Sequence, residues 1–238
     1  MTMKKKIFVA IASLAASVAI VVVSVFATVA YLTSSAAVSN VFTIGNVGIT
    51  MDESKVNPDG TVVTDGGRVD TNTYHLVPNK KYTKDPVIHV NSGSENSYLF
   101  VLVRNDLEKI EIVSDSADEM TIAEQLAANG WGIYTTASTG KVYVYGTVDA
   151  SGNVTTAASV NPGDYKLFEY FMTDPSAKID TYGAAKITLT AVAIQVSGFG
   201  EEGSKAALDK AWEAIIETYP YIHTGGTTNS GSSSSASN

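Results

Sequence analysis

The chain contains no cysteine. That excludes disulfides, a thiol nucleophile, a zinc–thiolate centre and an iron–sulfur site, and an exported fold of this composition must be stable without bridges. Histidine is scarce: His75, His89 and His223 are the only three. None lies in an H-E-x-x-H pattern and no pair has helical i, i+4 spacing, so no metal site is expected. His75 and His89 fall in strand-like runs, where a histidine with a structural partner is the commoner arrangement. Positive charge is also short, with 16 Lys and Arg against 24 Asp and Glu and a net charge of −8. Such an acidic chain is a poor partner for nucleic acid or anionic lipid headgroups. There is no G-x-S-x-G elbow. Gly198-Phe199-Gly200 supplies only half of a dinucleotide fingerprint and lacks its βαβ setting. No catalytic residue and no cofactor site emerge, and the chain does not read as an enzyme.

What is present begins at the N-terminus. Lys4, Lys5 and Lys6 precede an uncharged apolar run from Ile7 to Ala30. Thr28 and Ala30 occupy the minus-three and minus-one positions of a cleavage before Tyr31, which is the layout of a secretory signal peptide over residues 1–30. As a helix this run is also long enough to span a bilayer. An uncleaved anchor is therefore the alternative, and the many small residues (Ala10, Ala12, Ser13, Ala15, Ala16, Ser17, Ala19) favour cleavage. Either way the remainder is expected outside the cytoplasm, secreted to the cell surface or extracellular matrix, with the membrane touched only through an uncleaved signal. Removing three lysines and no acid leaves the mature chain more acidic still.

The mature chain divides into an arm over 31–41, a domain over 42–223 and a Gly/Ser-rich tail over 224–238. The arm (YLTSSAAVSN and the residue after it) has too few large apolar side chains to form a buried strand in its own domain. Residues 41–51 read as strand whose alternation slips at Gly45-Asn46, as at a β-bulge or a bend. Residues 52–70 are polar and turn-rich. Their carboxylates Asp52, Glu53, Asp59 and Asp65 do not have the spacing of a calcium loop, and Lys55 lies among them.

Strands are expected at 73–77, 86–90, 98–103, 110–113, 131–135, 141–148, 165–172 and 186–196, with a turn-rich connection over 78–86. The runs 98–103 and 186–196 are apolar on both faces and so central. Two helices interrupt them: one within 116–130, with capping boxes at Ser116/Glu119 or Thr121/Glu124 and a stop at Asn129-Gly130, and one over 204–219, with Leu208, Trp212, Ile215 and Tyr219 on one face. The tail cannot bury enough apolar area to offset its ordering entropy and reads as disordered. Nine or ten strands with two short inserted helices predict an all-β, two-sheet, jelly-roll-like sandwich. Trp131, Trp212 and the twelve tyrosines offer a sugar-stacking platform, although core positions are the commoner home for such residues.

Four blocks resemble the TasA/camelysin-like exported proteins of Gram-positive bacteria, which are processed by a SipW-type signal peptidase. They are Thr28-Val29-Ala30-Tyr31-Leu32-Thr33; Asn40-Val41-Phe42-Thr43-Ile44-Gly45-Asn46-Val47; Tyr82-Thr83-Lys84-Asp85-Pro86 with Ser94-Glu95-Asn96-Ser97-Tyr98-Leu99-Phe100-Val101; and Thr190-Ala191-Val192-Ala193-Ile194-Gln195-Val196 with Gly198-Phe199. The likeness spans most of residues 1–215, is weak over 105–160, and departs at Pro78-Asn79, where Pro-Gly is usual. It implies a jelly-roll fibre subunit of the biofilm matrix whose freed arm adds as a strand to the next copy. Tyr31, Leu32, Val38, Val41 and Phe42 would carry that strand donation. The implied partners are copies of itself in a head-to-tail homopolymer, the SipW-type peptidase and other matrix components. A monomeric surface module that binds glycan or protein is the alternative. The histidines do not support the peptidase label attached to some camelysin relatives.

Overall fold

A computed structural model describes residues 33–36, 38–114, 116, 118–182, 185–220 and 222. The signal segment, Tyr31, Leu32 and the tail 224–238 lie outside these residues, so the expectations made for them do too. The strands are β1 (Thr33–Ala36), β2 (Val38–Ile44), β3 (Ile49–Ser54), β4 (Arg68–Val69), β5 (Thr73–His75), β6 (Lys81–Thr83), β7 (Val87–Val90), β8 (Ser97–Asn105), β9 (Trp131–Ala137), β10 (Gly140–Val148), β11 (Val154–Ala157), β12 (Gly163–Lys166), β13 (Tyr170–Met172) and β14 (Ile187–Gln195). The α-helices are α1 (Ile122–Ala128) and α2 (Lys205–Thr218).

The fold is mostly β. A six-stranded sheet runs β11-β10-β8-β14-β2, with β9 also paired to β10, and a four-stranded sheet runs β12-β7-β3-β4. Two-stranded ladders β1-β5 and β13-β6 complete it. The centre of the large sheet is β8, antiparallel to both β10 and β14. Its side chains are apolar on both faces because both faces are covered. One face (Leu99, Val101, Val103, Leu189, Ala191) shares a core with Ile49, Met51, Ile88 and Val90 of the small sheet. The other (Phe100, Leu102, Val142, Val144, Val192) is covered by Leu208, Ala211, Trp212 and Ile215 of α2. The molecule is therefore layered sheet, sheet, helix.

The helices form where the capping chemistry puts them. Thr121 and Glu124 close a reciprocal capping box on α1, and Gly130 leaves the helix at φ +83°. Ser204 accepts from the Ala207 amide to start α2.

Four elements differ from the sequence reading. Residues 41–51 are two strands in different sheets. Gly45 (φ +89°) turns the chain between them, so of the bulge and the bend that the slip in alternation allowed, it marks the bend, here a corner between sheets. Residues 110–113 are no strand: a 3-10 turn (Glu108–Ile110) leads into a single bridge between Glu111 and Thr173. The connection 78–86 contains β6, which pairs with β13 through Tyr82 and Phe171. Residues 165–172 split into β12 and β13, because Leu167 and Phe168 both turn into the core between them.

Candidate functional site

The leading strands and the sheet edge they meet form the candidate site. The backbone of β2 runs parallel to β14 in unbroken register, from Val38 opposite Thr188 to Ile44 opposite Ile194. β1 pairs antiparallel with β5, Thr33 opposite His75 and Ala36 opposite Thr73. The arm was not expected to form a buried strand in its own domain; its described backbone nevertheless pairs with its own chain. The physical reason is that a sheet edge offers a row of main-chain donors and acceptors that any extended segment satisfies without large side chains. The shortage of apolar residues shows in a different way. From Asn40 to Ile44 every side chain is only half-buried or exposed, and Val41 is 37% exposed.

β2 is the last strand of its sheet. Phe42, opposite Val192, makes the principal side-chain contact: its ring lies 4.9 Å from that of Tyr219, just beyond α2. The Tyr219 hydroxyl donates to the Thr43 carbonyl at 2.9 Å. Phe42 and Ile44 both pack on the α2-side core. Val41 lies opposite Ala191 and so shares the face that looks toward the small sheet.

The corner after β2 is fastened by side chains as well as backbone. Asn46 N–H donates to Gln195 Oε1 at 3.4 Å, and Gln195 Nε2 donates to Glu95 at 2.5 Å. Glu95 N–H donates to the Asn46 carbonyl at 3.0 Å, and Gly48 N–H donates to Ser94 Oγ at 3.0 Å. The Ser94–Tyr98 block of the sequence thus grips the base of the leading strand, something its composition did not reveal.

Of the residues named for strand donation, Val38, Val41 and Phe42 lie together on β2. Thr28, Ala30, Tyr31 and Leu32 lie outside the described residues. Trp131 and Trp212, the two tryptophans offered for sugar stacking, are both buried. The four carboxylates of 52–65 do not converge either: Asp52 pairs with Arg68 and His89, Glu53 is buried against Lys84, and Asp59 receives the Thr61 amide. Among the described residues no group of three or more His, Asp or Glu is placed to hold a metal.

A concavity of about 490 Å³ lies elsewhere, between α1 and the ends of β8 and β10. Asn105, Glu111, Thr121, Lys141 and Tyr143 help to line it. Burial pushes the Glu111 carboxyl up, against hydrogen bonds from the Ile122 amide and Asn105 that favour its charged form.

Compared with protein-family models, curated proteins and solved structures, the chain matches none.

Proposed function

We propose that this chain is an exported structural subunit of jelly-roll type. It polymerises into extracellular biofilm-matrix fibres when its leading strand leaves its own β14 edge and completes that of a neighbouring copy. The carrying observation is the parallel β2–β14 ladder at the end of the large sheet, entered from the N-terminus and followed by a glycine corner. A terminal strand held mainly by main-chain bonds exchanges at little net cost, since every bond broken inside one subunit is remade between two. The exchanged contact is head-to-tail and propagates. The weak side-chain burial from Asn40 to Ile44 fits a strand that must come away. Cleavage after Ala30 would release it from the membrane, and the resemblance in the flanking blocks points to a SipW-type peptidase for that step.

The test exploits the missing cysteines. Asn40 and Thr190 are register partners, so the double variant Asn40→Cys/Thr190→Cys places one thiol on each strand. In filaments, oxidation should join successive subunits into a ladder on a denaturing gel. Filaments whose subunits run only as internally bridged monomers would overturn strand exchange.

A second reading, a monomeric surface module, is favoured by the self-docked arm and by the cleft beside Glu111. It predicts that correctly trimmed protein stays single by negative-stain microscopy at all concentrations.

A further inference from the structure

Glu53, Asn72 and Lys84 meet in the interior next to β3, β5 and β6. The Lys84 and Glu53 side chains are sealed from solvent, and Asn72 is buried. The two oxygens of one carboxylate serve both neighbours: Glu53 Oε2 lies 2.5 Å from Lys84 Nζ, and Oε1 accepts from Asn72 Nδ2 at 3.1 Å. The amide is fixed at both ends. Asn72 Nδ2 also donates to the Ser54 carbonyl at 2.8 Å, and its Oδ1 accepts from the Val56 N–H at 3.0 Å. Tyr74, Tyr82 and Phe171 pack on one another in the same core, with ring centroids 4.9–5.9 Å apart.

As a structural ion pair this cluster is expensive, since the desolvation of two sealed charges is rarely repaid in full. As a reaction site it brings the needed groups onto one carboxylate. An amine, a primary amide and a carboxyl that touches both are held where water cannot compete. We propose that Lys84 Nζ and Asn72 Cγ become joined by an isopeptide bond, with Glu53 moving the protons.

Lys84 first passes a proton to Glu53, so both become neutral. Burial favours this by pushing the Lys84 ammonium down, against the opposing charges of Glu53 and Asp85. The Nζ lone pair attacks Cγ, and the charge that develops on Oδ1 is met by the Val56 N–H. Glu53 gives its proton to Nδ2 and takes one from Nζ. The Cγ–Nδ2 bond breaks and ammonia leaves. The Lys84 amine and the Asn72 primary amide become a secondary amide plus ammonia, the proton that Lys84 first gave up ends on Glu53, and no oxidant or cofactor is consumed. The bond would brace the segment carrying β5, on which β1 docks, in a chain that has no cysteine for the purpose.

The test is peptide mapping by mass spectrometry of the folded, exported protein. A branched pair containing Asn72 and Lys84, lighter by one ammonia than the two linear peptides together, is expected. It should be lost in Glu53→Ala, where both linear peptides return. Two linear peptides of full mass from the wild type would overturn the proposal, and so would an ammonia loss confined to a linear Asn72 peptide, which marks a succinimide. A branched pair persisting in Glu53→Ala would overturn the role of Glu53. If that variant does not fold, the wild-type map decides.

Discussion

His89 lies on the outer face of the small sheet, between the carboxylates of two neighbouring strands. Its Nε2 is 3.0 Å from Asp52 on β3, and its Nδ1 is 2.7 Å from Asp164 on β12. Partial burial disfavours the imidazolium, but the hydrogen bonds and charges of Asp52 and Asp164 outweigh it and hold the His89 pKa above its usual value. A raised folded-state pKa contributes stability that is fully present below the unfolded value and is lost as pH rises through the folded one. The melting temperature should therefore fall as pH rises above about 6.5, the ordinary histidine value, and His89→Asn should flatten that dependence; an unchanged slope in the variant would assign it elsewhere. Phe42 is the other informative single residue. Phe42→Ala removes the Tyr219 ring contact from a half-buried edge position, so thermal unfolding should show a loss of roughly 1–2 kcal/mol, less than for a full core phenylalanine. Neither role could be read from the sequence. The alternation marked His89 as a strand residue, but its two partners come from positions 37 and 75 residues away.

At the scale of elements, local chemistry settles what forms and long-range contact settles where it goes. The capping box at Thr121, the stop at Gly130 and the apolar stripe of α2 are local signals, and both helices stand where those signals put them. The central strands were equally plain, because a run apolar on both faces has to be covered on both. The slip at Gly45 left bulge and bend both open, because a slip in alternation looks the same whether the chain kinks within a sheet or crosses to another. A side chain at Gly45 would meet Gln195 Oε1 at 2.6 Å and Cβ at 2.8 Å, on a backbone at φ +89°. Gly45→Ala should therefore cost about 1–3 kcal/mol in chemical denaturation, and it should slow filament growth by misdirecting β2. On α2, Trp212 stacks 5.5 Å from Phe100 and seals the outer face of the large sheet. Trp212→Ala should cost about 3–5 kcal/mol, with dye binding reporting the apolar face it uncovers.

At the scale of the whole molecule, the proposed strand exchange turns on the leading segment. Without β2, β14 becomes an edge strand with its main-chain groups unpaired, the state that invites pairing with another chain. Trimmed protein lacking residues 31–44 should stay folded on its two cores, form no filaments of its own, and take up a synthetic peptide spanning that segment; no uptake would count against an exchangeable edge. The sequence by itself determined the β-rich class, the two helices, the two doubly covered strands and the lack of thiol chemistry. Those follow from periodicity, capping and composition, which act over a few residues. Tertiary structure decided the pairing of β2 with β14, the corner between sheets, the carboxylates flanking His89 and the meeting of Glu53, Asn72 and Lys84. Those depend on which strands lie side by side, and strand neighbours are chosen by main-chain bonding and core packing between segments far apart in the chain, for which no single stretch of residues carries a mark.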